Sequence, residues 1–402
     1  MPPIALELAQ GILTAFMRVL FIPMFAIAVC ASAPPNATLV IAAERMLDID
    51  AGAYHSGVVV YVEGDRIQRI ERGEAPAGAI RVKALLPGLI DAHVHLAWSG
   101  VSGAEAAKKT LAAGFTTVRN LGSDSDADRR LQKQIERGEL AGPRMLISGP
   151  GLGGPGGICP RTFGDAGVVT SAEDARTKVR SQVRERGVQL IKICTGGGIV
   201  AMDDDATTVE LSPQILHALV DEARALGVKV AAHAQGPSAI RNAVEAGVAS
   251  IEHGGLIDAE LAALMRERNV VLVPTLARLG GARPDLIEHA RMAVKARVPI
   301  VLGSDATVMP HGDNAKELVA LVDIGLSPIE AVRAATTRAA ALLGLSDVGI
   351  IRAGAAADLI AVDGDPLMDV GVLARPTLVV SRGKIIVGTP APRRSLRGDG
   401  PW

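Results

Sequence analysis

Two histidines stand two residues apart in the segment D-A-H-V-H, at His93 and His95. Residues at i and i+2 of a β-strand point to the same face, so both imidazoles would face one side. Neutral imidazole is a common ligand of zinc-like ions, which makes the pair a candidate metal site. Two histidines alone are equally compatible with a structural role. Asp91 shares their face and would either orient a ligand imidazole or make a strand-end hydrogen bond.

A lysine lies inside an apolar run, at Lys192 in residues 190–194 (L-I-K-I-C). Burial favours the neutral amine, so such a lysine requires a carboxylate partner or a chemical function. A neutral amine can react with carbon dioxide to give a carbamate, and a carbamate can bridge two metal ions. Lys192 is therefore a candidate bridging ligand, with a buried ion pair as the alternative.

Three more residues able to bind metal end strand-like runs. With the residues above they complete a candidate metal set of His93, His95, Lys192, His233, His253 and Asp305. Other histidines fall in a small β region or in helical patterns, where a solvated or packed side chain is expected: His55, His217 and His289. His311 follows the last strand candidate and would either face a substrate or cap the next helix.

The elements that must position these residues alternate between strand-like and helical patterns, which indicates βα units and a parallel sheet. The eight strand candidates are 89–95, 115–120, 144–149, 189–194, 229–234, 249–252, 270–274 and 299–304. This α/β pattern predicts a (β/α)8 TIM barrel over residues 87–346, with the metal set at the carboxyl ends of its strands. An open doubly wound sheet is the alternative, but it needs a glycine-rich phosphate loop after the first strand, where this chain has D-A-H-V-H.

Short β runs and turn signals dominate both ends of the chain. Residues 34–86 and 347–402 are predicted to form one small composite β-sandwich domain, apart from a C-terminal tail. The two ends should share a sheet.

The first 33 residues contain the pattern of a signal peptide: a basic start at Met17-Arg18, an apolar run from Val19 to Val29 and the small residues Ala31-Ser32-Ala33. The run is too short for a good membrane span. We therefore expect a periplasmic or secreted protein that begins near Pro34 and has no stable membrane association after cleavage. A lipid anchor at Cys30 is a weaker alternative. An oxidising compartment would permit pairing of Cys159 with Cys194, but they fall on different predicted segments, and two buried free thiols are expected.

Composition limits the classes of partner. Of the 402 residues 49% are hydrophobic, 2% are aromatic, and the formal net charge is -1. Few aromatic side chains and no excess of positive charge argue against nucleic-acid binding. Small molecules are the expected partners, and a homo-oligomer remains open.

The motifs P-G-L-I-D-A-H-V-H at 87–95 and G-S-D-A at 303–306, with the strand-four lysine and two later histidines between them, resemble the amidohydrolase superfamily. The resemblance covers about residues 38–388. The segments around Lys192, His233, His253 and His311 look like the imidazolonepropionase-related branch, which includes metal-dependent Xaa-Pro-type dipeptidases and enzymes that hydrolyse ochratoxin A.

By that resemblance the chain is a hydrolase with two divalent metal ions, most simply zinc, and a carbamate formed from carbon dioxide on Lys192. His93 and His95 would bind one metal and His233 and His253 the other. Asp305 would complete the set and carry a proton from the nucleophile to the departing amine. The expected substrate is a small-molecule amide or dipeptide that releases a C-terminal amino acid. Its carboxylate would be bound by Arg161, by His311 or by the backbone of the glycine-rich segments 153–157 and 196–198.

Three alternatives share parts of this pattern. A mononuclear deaminase would need a glutamate base just after the strand-five histidine, where the chain has Ala234-Gln235. A lactonase or cyclic-amide hydrolase would use the same metal ligands on another substrate. A non-catalytic binding protein on the same fold is disfavoured because no expected ligand is missing.

Overall fold

A computed structural model describes residues 39–98, 100, 102–198, 205–279 and 281–388. The expected signal peptide at 1–33, Cys30 and the tail beyond 388 lie outside the described residues. The strands are β1 (Leu39–Asp48), β2 (Ala53–Glu63), β3 (Arg66–Arg72), β4 (Ile80–Pro87), β5 (Leu89–Val94), β6 (Phe115–Asn120), β7 (Arg144–Ile147), β8 (Leu190–Cys194), β9 (Lys229–Ala234), β10 (Ser250–His253), β11 (Val271–Val273), β12 (Leu359–Val362), β13 (Leu378–Ser381) and β14 (Lys384–Val387).

The α-helices lie mainly between the barrel strands. They are α1 (Gly103–Ala112), α2 (Ala127–Glu136), α3 (Ile158–Phe163), α4 (Ala172–Ser181), α5 (Pro213–Ala225), α6 (Pro237–Ala246), α7 (Ala259–Glu267), α8 (Pro284–Lys295), α9 (Lys316–Asp323), α10 (Pro328–Ala334) and α11 (Thr337–Leu343). Four of them begin at a side chain that accepts a first-turn backbone N–H, namely Ser102, Ser171, Ser212 and Asp258. Such caps satisfy amides that the helix cannot satisfy itself and fix where the helix starts. Among the described residues no helix combines the length and the apolar character needed to cross a bilayer.

Strands β1–β4 and β12–β14 form one seven-stranded sheet in the order β14-β13-β12-β4-β1-β2-β3, so the two terminal β regions share a sheet, as predicted. β1 pairs with β4 in parallel, and the other neighbours are antiparallel. Alternate residues of these strands point to opposite faces. Leu85 and Leu359 belong to the core of the terminal sheet, whereas Leu86 and Ile360 belong to the large core that includes the barrel strands and helices. This alternation attaches the sheet to the barrel.

The central strands form two parallel sheets, β5-β6-β7 and β11-β10-β9-β8. Backbone hydrogen bonds join the sheets at both seams. At one seam the amide of Gln189 donates to Ile147 O at 3.1 Å. At the other, the amide of Ala92 donates to Leu302 O at 2.9 Å. The architecture is that of a (β/α)8 barrel, although the strand ladders do not form one continuous closed sheet.

The eighth predicted strand, 299–304, is the main difference from the sequence prediction. It contributes one isolated bridge, between Ile300 and Leu272, and is otherwise irregular. Two of its backbone N–H groups bond outside the strand ladder: that of Leu302 donates to Ala334 O at 3.0 Å and that of Ser304 to the Asp91 carboxylate at 3.1 Å. We call residues 299–305 the eighth segment. It occupies the position of a barrel strand and leads directly into the candidate site.

Candidate active site

All six residues of the predicted metal set line one cavity at the carboxyl ends of the barrel strands. The cavity has an empty volume of about 620 Å³, counted to its open mouth. His93, Lys192, His233 and His253 lie on β5, β8, β9 and β10, His95 follows β5, and Asp305 ends the eighth segment. The structure therefore brings the whole predicted set together.

Four imidazoles form the floor of this cavity. The ring centroids of His233 and His253 lie 4.7 Å apart, those of His93 and His253 5.0 Å, and those of His93 and His95 5.2 Å. His93 Nε2, His95 Nδ1 and His233 Nε2 are buried and have no hydrogen-bond partner in the described part of the chain. A buried polar atom without a partner is costly. Three such nitrogens in one cavity fit a site for metal ions.

Asp305 is the carboxylate of the cluster. Its Oδ1 lies 3.1 Å from His95 Nε2 and 3.5 Å from His93 Nε2. Potential ligand atoms of His93, His95 and Asp305 lie within 4.8 Å of one another, a grouping that could hold a metal ion. Burial alone would raise the pKa of Asp305, but His93, His95 and Arg278 outweigh it and hold that pKa well below its usual range. Asp305 is therefore an ionised base.

Lys192 is 2% exposed. Burial lowers the pKa of its amine to about 8, and the nearby carboxylates of Glu252 and Asp305 oppose the shift only in part. A lowered pKa increases the neutral fraction of the amine near neutral pH, and the neutral form is the one that reacts with carbon dioxide. Lys192 makes no ion pair with a carboxylate among the described residues, which disfavours the ion-pair alternative.

The buried carboxylate of Glu252 contacts His93 and is itself paired with the buried guanidinium of Arg119. Glu252 Oε2 lies 2.8 Å from His93 Nδ1, and Glu252 Oε1 accepts a hydrogen bond from Arg119 Nη2 at 2.7 Å. Burial opposes ionisation of Glu252, but Arg119 and His93 outweigh it, so the pKa of Glu252 is lowered. A carboxylate accepting from Nδ1–H fixes the tautomer in which Nε2 offers its lone pair to the cavity. The sequence reasoning missed this pair, although a charged residue inside each of two buried strands is a readable signal.

Asp91 acts as the strand-end hydrogen-bonder, one of the two roles left open for it. It accepts from the His93 backbone N–H at 3.0 Å, from Ser304 Oγ at 2.5 Å and from Asn314 Nδ2 at 2.8 Å. Burial raises the pKa of Asp91 to about 6. Asp91 thus ties the end of β5 to the eighth segment and does not bond to an imidazole.

Three residues around the site have left-handed backbone conformations that side chains rarely adopt. His253 has a φ of 71°, Thr275 of 52° and Asp305 of 56°. Each such residue costs about 1–3 kcal/mol, and such strain concentrates at functional sites. They lie at the ends of three adjacent barrel positions: His253 ends β10, Thr275 follows β11 and Asp305 ends the eighth segment. Thr275 Oγ1 lies 2.7 Å from His253 Nδ1, so it supports His253 as Glu252 supports His93.

Gly303 explains why the G-S-D-A motif begins with glycine. A Cβ at this position would lie 2.7 Å from His93 Cβ and 2.3 Å from Val273 Cγ1. Any other residue would push the eighth segment away from β5. The glycine therefore lets Asp305 approach His93.

An aromatic wall stands beside His95. Its ring centroid lies 5.2 Å from that of Trp98 and 5.7 Å from that of Phe163. Ile158, Thr162 and Phe163, all on α3, line the same cavity. The wall is the apolar part of the site.

Cys159 and Cys194 form a disulfide, so the expectation of two free thiols is wrong. Cys159 lies on α3 and Cys194 ends β8, 35 residues later, and the barrel brings their Cα atoms to 5.5 Å. The prediction failed because the helix after β7 folds back over the end of β8, which the sequence pattern does not reveal. The disulfide joins the helix that carries the aromatic wall to the strand that carries Lys192.

Arg278 is a third residue that the sequence reasoning missed. It lies in a short 3₁₀ turn after β11 (Ala277–Leu279), and its side chain is only 7% exposed in the cavity. Its Nε lies 3.2 Å from Asp305 Oδ2 and donates to Thr275 Oγ1 at 3.0 Å. An arginine in a turn has no periodic signal, and only the fold places this one at the site.

The predicted substrate contacts lie elsewhere. Arg161 is exposed on α3 and lines a separate cavity with Pro155 and Glu210. His311 lies 3.1 Å from Thr110 Oγ1 through Nδ1 and 3.0 Å from Thr307 Oγ1 through Nε2, and it is not among the described residues that line the candidate cavity. Burial lowers the pKa of His311 to about 4.

The glycine-rich segments offer fewer free amides than predicted. The backbone N–H groups of Gly153, Gly157 and Gly197 donate to carbonyl groups of the protein. Of these segments only Gly198 lines the candidate cavity. The remaining histidines, His55, His217 and His289, are also outside its lining, as expected.

Comparisons with known proteins identify a family and several similar proteins. A model of the amidohydrolase family matches residues 84–386. The ochratoxinase of Aspergillus niger is 30% identical over 387 residues, which cover 80% of this chain and 78% of that protein. The imidazolonepropionase of Anaeromyxobacter sp. (strain K) is 27% identical over 385 residues, covering 81% and 90%.

A solved structure shares the fold closely. The crystal structure of a Xaa-Pro dipeptidase with methionine bound in its active site matches with a TM-score of 0.81 and 29% identity, over 87% of this chain and 100% of that chain. The family model spans most of the chain and includes every residue of the cavity floor. The protein belongs to the amidohydrolase family and is a hydrolytic enzyme.

Proposed function

We propose that this enzyme uses two metal ions to cleave an amide and release a C-terminal amino acid. One observation carries the proposal: four histidines, a buried lysine with a lowered pKa and an ionised aspartate converge in one cavity, with three ring nitrogens unsatisfied. The similarity to an ochratoxinase and to a Xaa-Pro dipeptidase supports the choice of an amide substrate.

The donor set fits two divalent ions. His93 and His95 would hold one ion, His233 and His253 the other, and a carbamate on Lys192 would bridge them, with Asp305 as a further ligand. Imidazole and carboxylate donors suit zinc. When bound, the ions polarise the scissile carbonyl and lower the pKa of water.

The side chains of the chain supply the proton transfers and the orientation. Asp305 accepts the proton of the attacking water, because its low pKa keeps it ionised, and gives that proton to the departing amine nitrogen. Glu252 fixes the tautomer of His93, and Thr275 holds His253. The acyl group of the substrate would pack on Trp98 and Phe163, which offer an apolar surface for an aromatic acyl group such as that of ochratoxin A.

The experiment that tests this function is a substrate panel on protein loaded with zinc. The panel contains N-acyl amino acids, dipeptides, ochratoxin A and simple lactones, and bound metal is measured in parallel. We expect amide hydrolysis with two metals per chain. Hydrolysis of lactones alone would replace the proposal with the lactonase alternative, and one metal per chain would refute the binuclear assignment.

We further propose that the mature enzyme is periplasmic or secreted and begins near Pro34. The disulfide between Cys159 and Cys194 supports this, because disulfides persist mainly in oxidising compartments. Mass spectrometry of the exported protein should find an N-terminus near Pro34. An intact N-terminus at Met1 would contradict it.

A further inference from the structure

The candidate cavity contains a guanidinium group that the proposed hydrolysis has not used. Lys192 and Arg278 are the two residues with cationic side chains among the described residues of its lining. Lys192 is assigned to the proposed metal site, and two of the predicted carboxylate ligands, Arg161 and His311, are not among the described residues that line this cavity. A buried guanidinium is costly unless acceptors surround it. The acceptors around Arg278 therefore decide what it can bind.

The terminal nitrogen Nη2 of Arg278 has an acceptor in His253 only in the tautomer of His253 whose Nδ1 carries no proton. Arg278 Nη2 lies 3.4 Å from His253 Nδ1, while Arg278 Nε faces Thr275 Oγ1 and Asp305 Oδ2. For His253 to offer Nε2 to a metal, its Nδ1 must carry the proton, which it can give to Thr275 Oγ1 at 2.7 Å. In that state Nη2 faces another donor. Among the described residues no other acceptor faces Nη2, so this nitrogen is available to an acceptor on a bound ligand.

The position of Arg278 relative to the aromatic wall suits the carboxylate end of an N-acyl amino acid. Asp305 lies between two different environments, with Oδ1 3.1 Å from His95 and Oδ2 3.2 Å from Arg278. The aromatic wall of Trp98 and Phe163 packs beside His95. The cavity thus has apolar rings on one side of the catalytic carboxylate and a cation on the other.

The turn that carries Arg278 is held from behind by a buried carboxyl group. Glu317 on α9 accepts from the backbone N–H groups of Leu276 at 2.9 Å and Ala277 at 2.7 Å. These bonds fix the chain immediately before Arg278. The guanidinium is therefore preorganised, which reduces the entropy lost when a ligand binds.

We propose that Arg278 binds the carboxylate of the amino acid that the enzyme releases. The inference rests on the proposed release of a C-terminal amino acid and assigns Arg278 as the residue that selects amides with a free α-carboxylate on the amine portion. The planar fork of arginine suits a carboxylate, and a charge-assisted bond of this kind favours the acid over its uncharged amide.

The kinetic test compares N-benzoyl-phenylalanine with its C-terminal carboxamide, on wild type, Arg278→Met and Arg278→Lys with equal metal content. Arg278→Met also removes a contact to Asp305 and should lower kcat/KM for both compounds, but the loss for the acid should exceed the loss for the carboxamide by roughly 10- to 100-fold, mainly through KM. Arg278→Lys should recover part of the loss. Arg268→Met, at an exposed position that follows α7, is the matched control and should equal wild type.

A binding test does not depend on turnover. Thermal unfolding of the metal-loaded protein is followed with L-phenylalanine and with L-phenylalaninamide. The acid should raise the Tm of wild type more than the amide does, and Arg278→Met should abolish that difference.

The outcomes separate the two proposals. Equal losses on acid and carboxamide, or loss of metal from Arg278→Met, would mean that Arg278 only holds Asp305, and the inference would be overturned. A loss specific to the acid in Arg161→Met would move the carboxylate site to Arg161. If wild type hydrolyses neither compound, the proposed amide hydrolysis fails, and the Tm difference still decides whether Arg278 binds a carboxylate.

Discussion

At the scale of single residues, the site depends on partners that fix proton positions. Glu252 accepts from His93, Thr275 lies beside His253, and Arg278 contacts Asp305. Each partner controls which atom of a ligand faces the cavity, and ligands without such partners lose affinity. The proposed chemistry therefore depends on these neighbours as well as on the six candidate ligands.

Replacing Lys192 with alanine should lower metal content and activity together, because the proposed bridging carbamate could not form. Bound metal per chain and amide hydrolysis are measured on the same preparation. A high concentration of a short carboxylic acid should restore part of both. The exposed Lys295→Ala serves as the control. Retention of two metals per chain with no rescue would show that Lys192 does not bridge.

Replacing Asp305 with asparagine should leave the fold intact and remove the proton carrier. The amide of asparagine cannot accept and return a proton at neutral pH, so kcat should fall by roughly 10²- to 10⁴-fold. Circular dichroism and metal analysis establish that the variant is folded and loaded. Near-normal turnover in such a variant would exclude Asp305 as the proton carrier.

At the scale of elements, the site is built from strand ends and one tethered helix. The left-handed residues His253, Thr275 and Asp305 turn the chain sharply where three adjacent barrel positions end. The short helix α3 is held against the end of β8 by the disulfide. The strand ends therefore position the candidate metal ligands, and α3 positions the apolar side chains of the aromatic wall.

Removing the disulfide in the double variant Cys159→Ala/Cys194→Ala should destabilise the protein by about 2–4 kcal/mol, measured by denaturant unfolding. Because α3 carries Phe163, KM should rise more for an N-benzoyl substrate than for its N-acetyl counterpart, with kcat less affected. The N-acetyl compound is the internal control, because its acetyl group has no aromatic ring to pack against Phe163. Parallel changes for both substrates would mean that the disulfide stabilises the fold without shaping the wall.

At the scale of the whole molecule, the two ends of the chain close into one sheet that packs on the barrel. Leu86 and Ile360 lie on the face of that sheet that packs into the large core shared with the barrel. Sheet and barrel should therefore unfold together. Buried ionisable groups in the barrel then influence the stability of the entire chain.

Glu317 makes that stability depend on pH. Burial raises its pKa from 4.5 to about 8. A raised pKa means that the folded state binds more protons, so the contribution of Glu317 is fully present below pH 4.5 and is lost as the pH rises through 8. Glu317→Gln mimics the neutral form, so the free energy of unfolding should fall less between pH 5 and pH 9 than in wild type. The exposed Glu245→Gln should behave like wild type, and identical pH slopes for Glu317→Gln and wild type would contradict the assignment.

The sequence by itself located the candidate metal-binding residues, the barrel and the two terminal β regions that share one sheet. These features depend on local patterns: side chains two apart on a strand face one side, and the carboxyl ends of barrel strands meet at one mouth. His93 and Asp305 were found in this way. The eighth strand was less regular than its apolar pattern indicated, and the backbone N–H groups of Leu302 and Ser304 bond outside the ladder.

Only the tertiary structure decided which side chains contact one another around the site. Glu252 and Arg119 are 133 residues apart, and Cys159 and Cys194 are 35 apart on elements that no periodicity connects. Arg278 replaced Arg161 at the cavity because β11 ends beside Asp305, whereas the exposed face of α3 points to another cavity. Which side chains meet through space depends on how the elements pack, and the spacing of residues along the chain does not encode those distances.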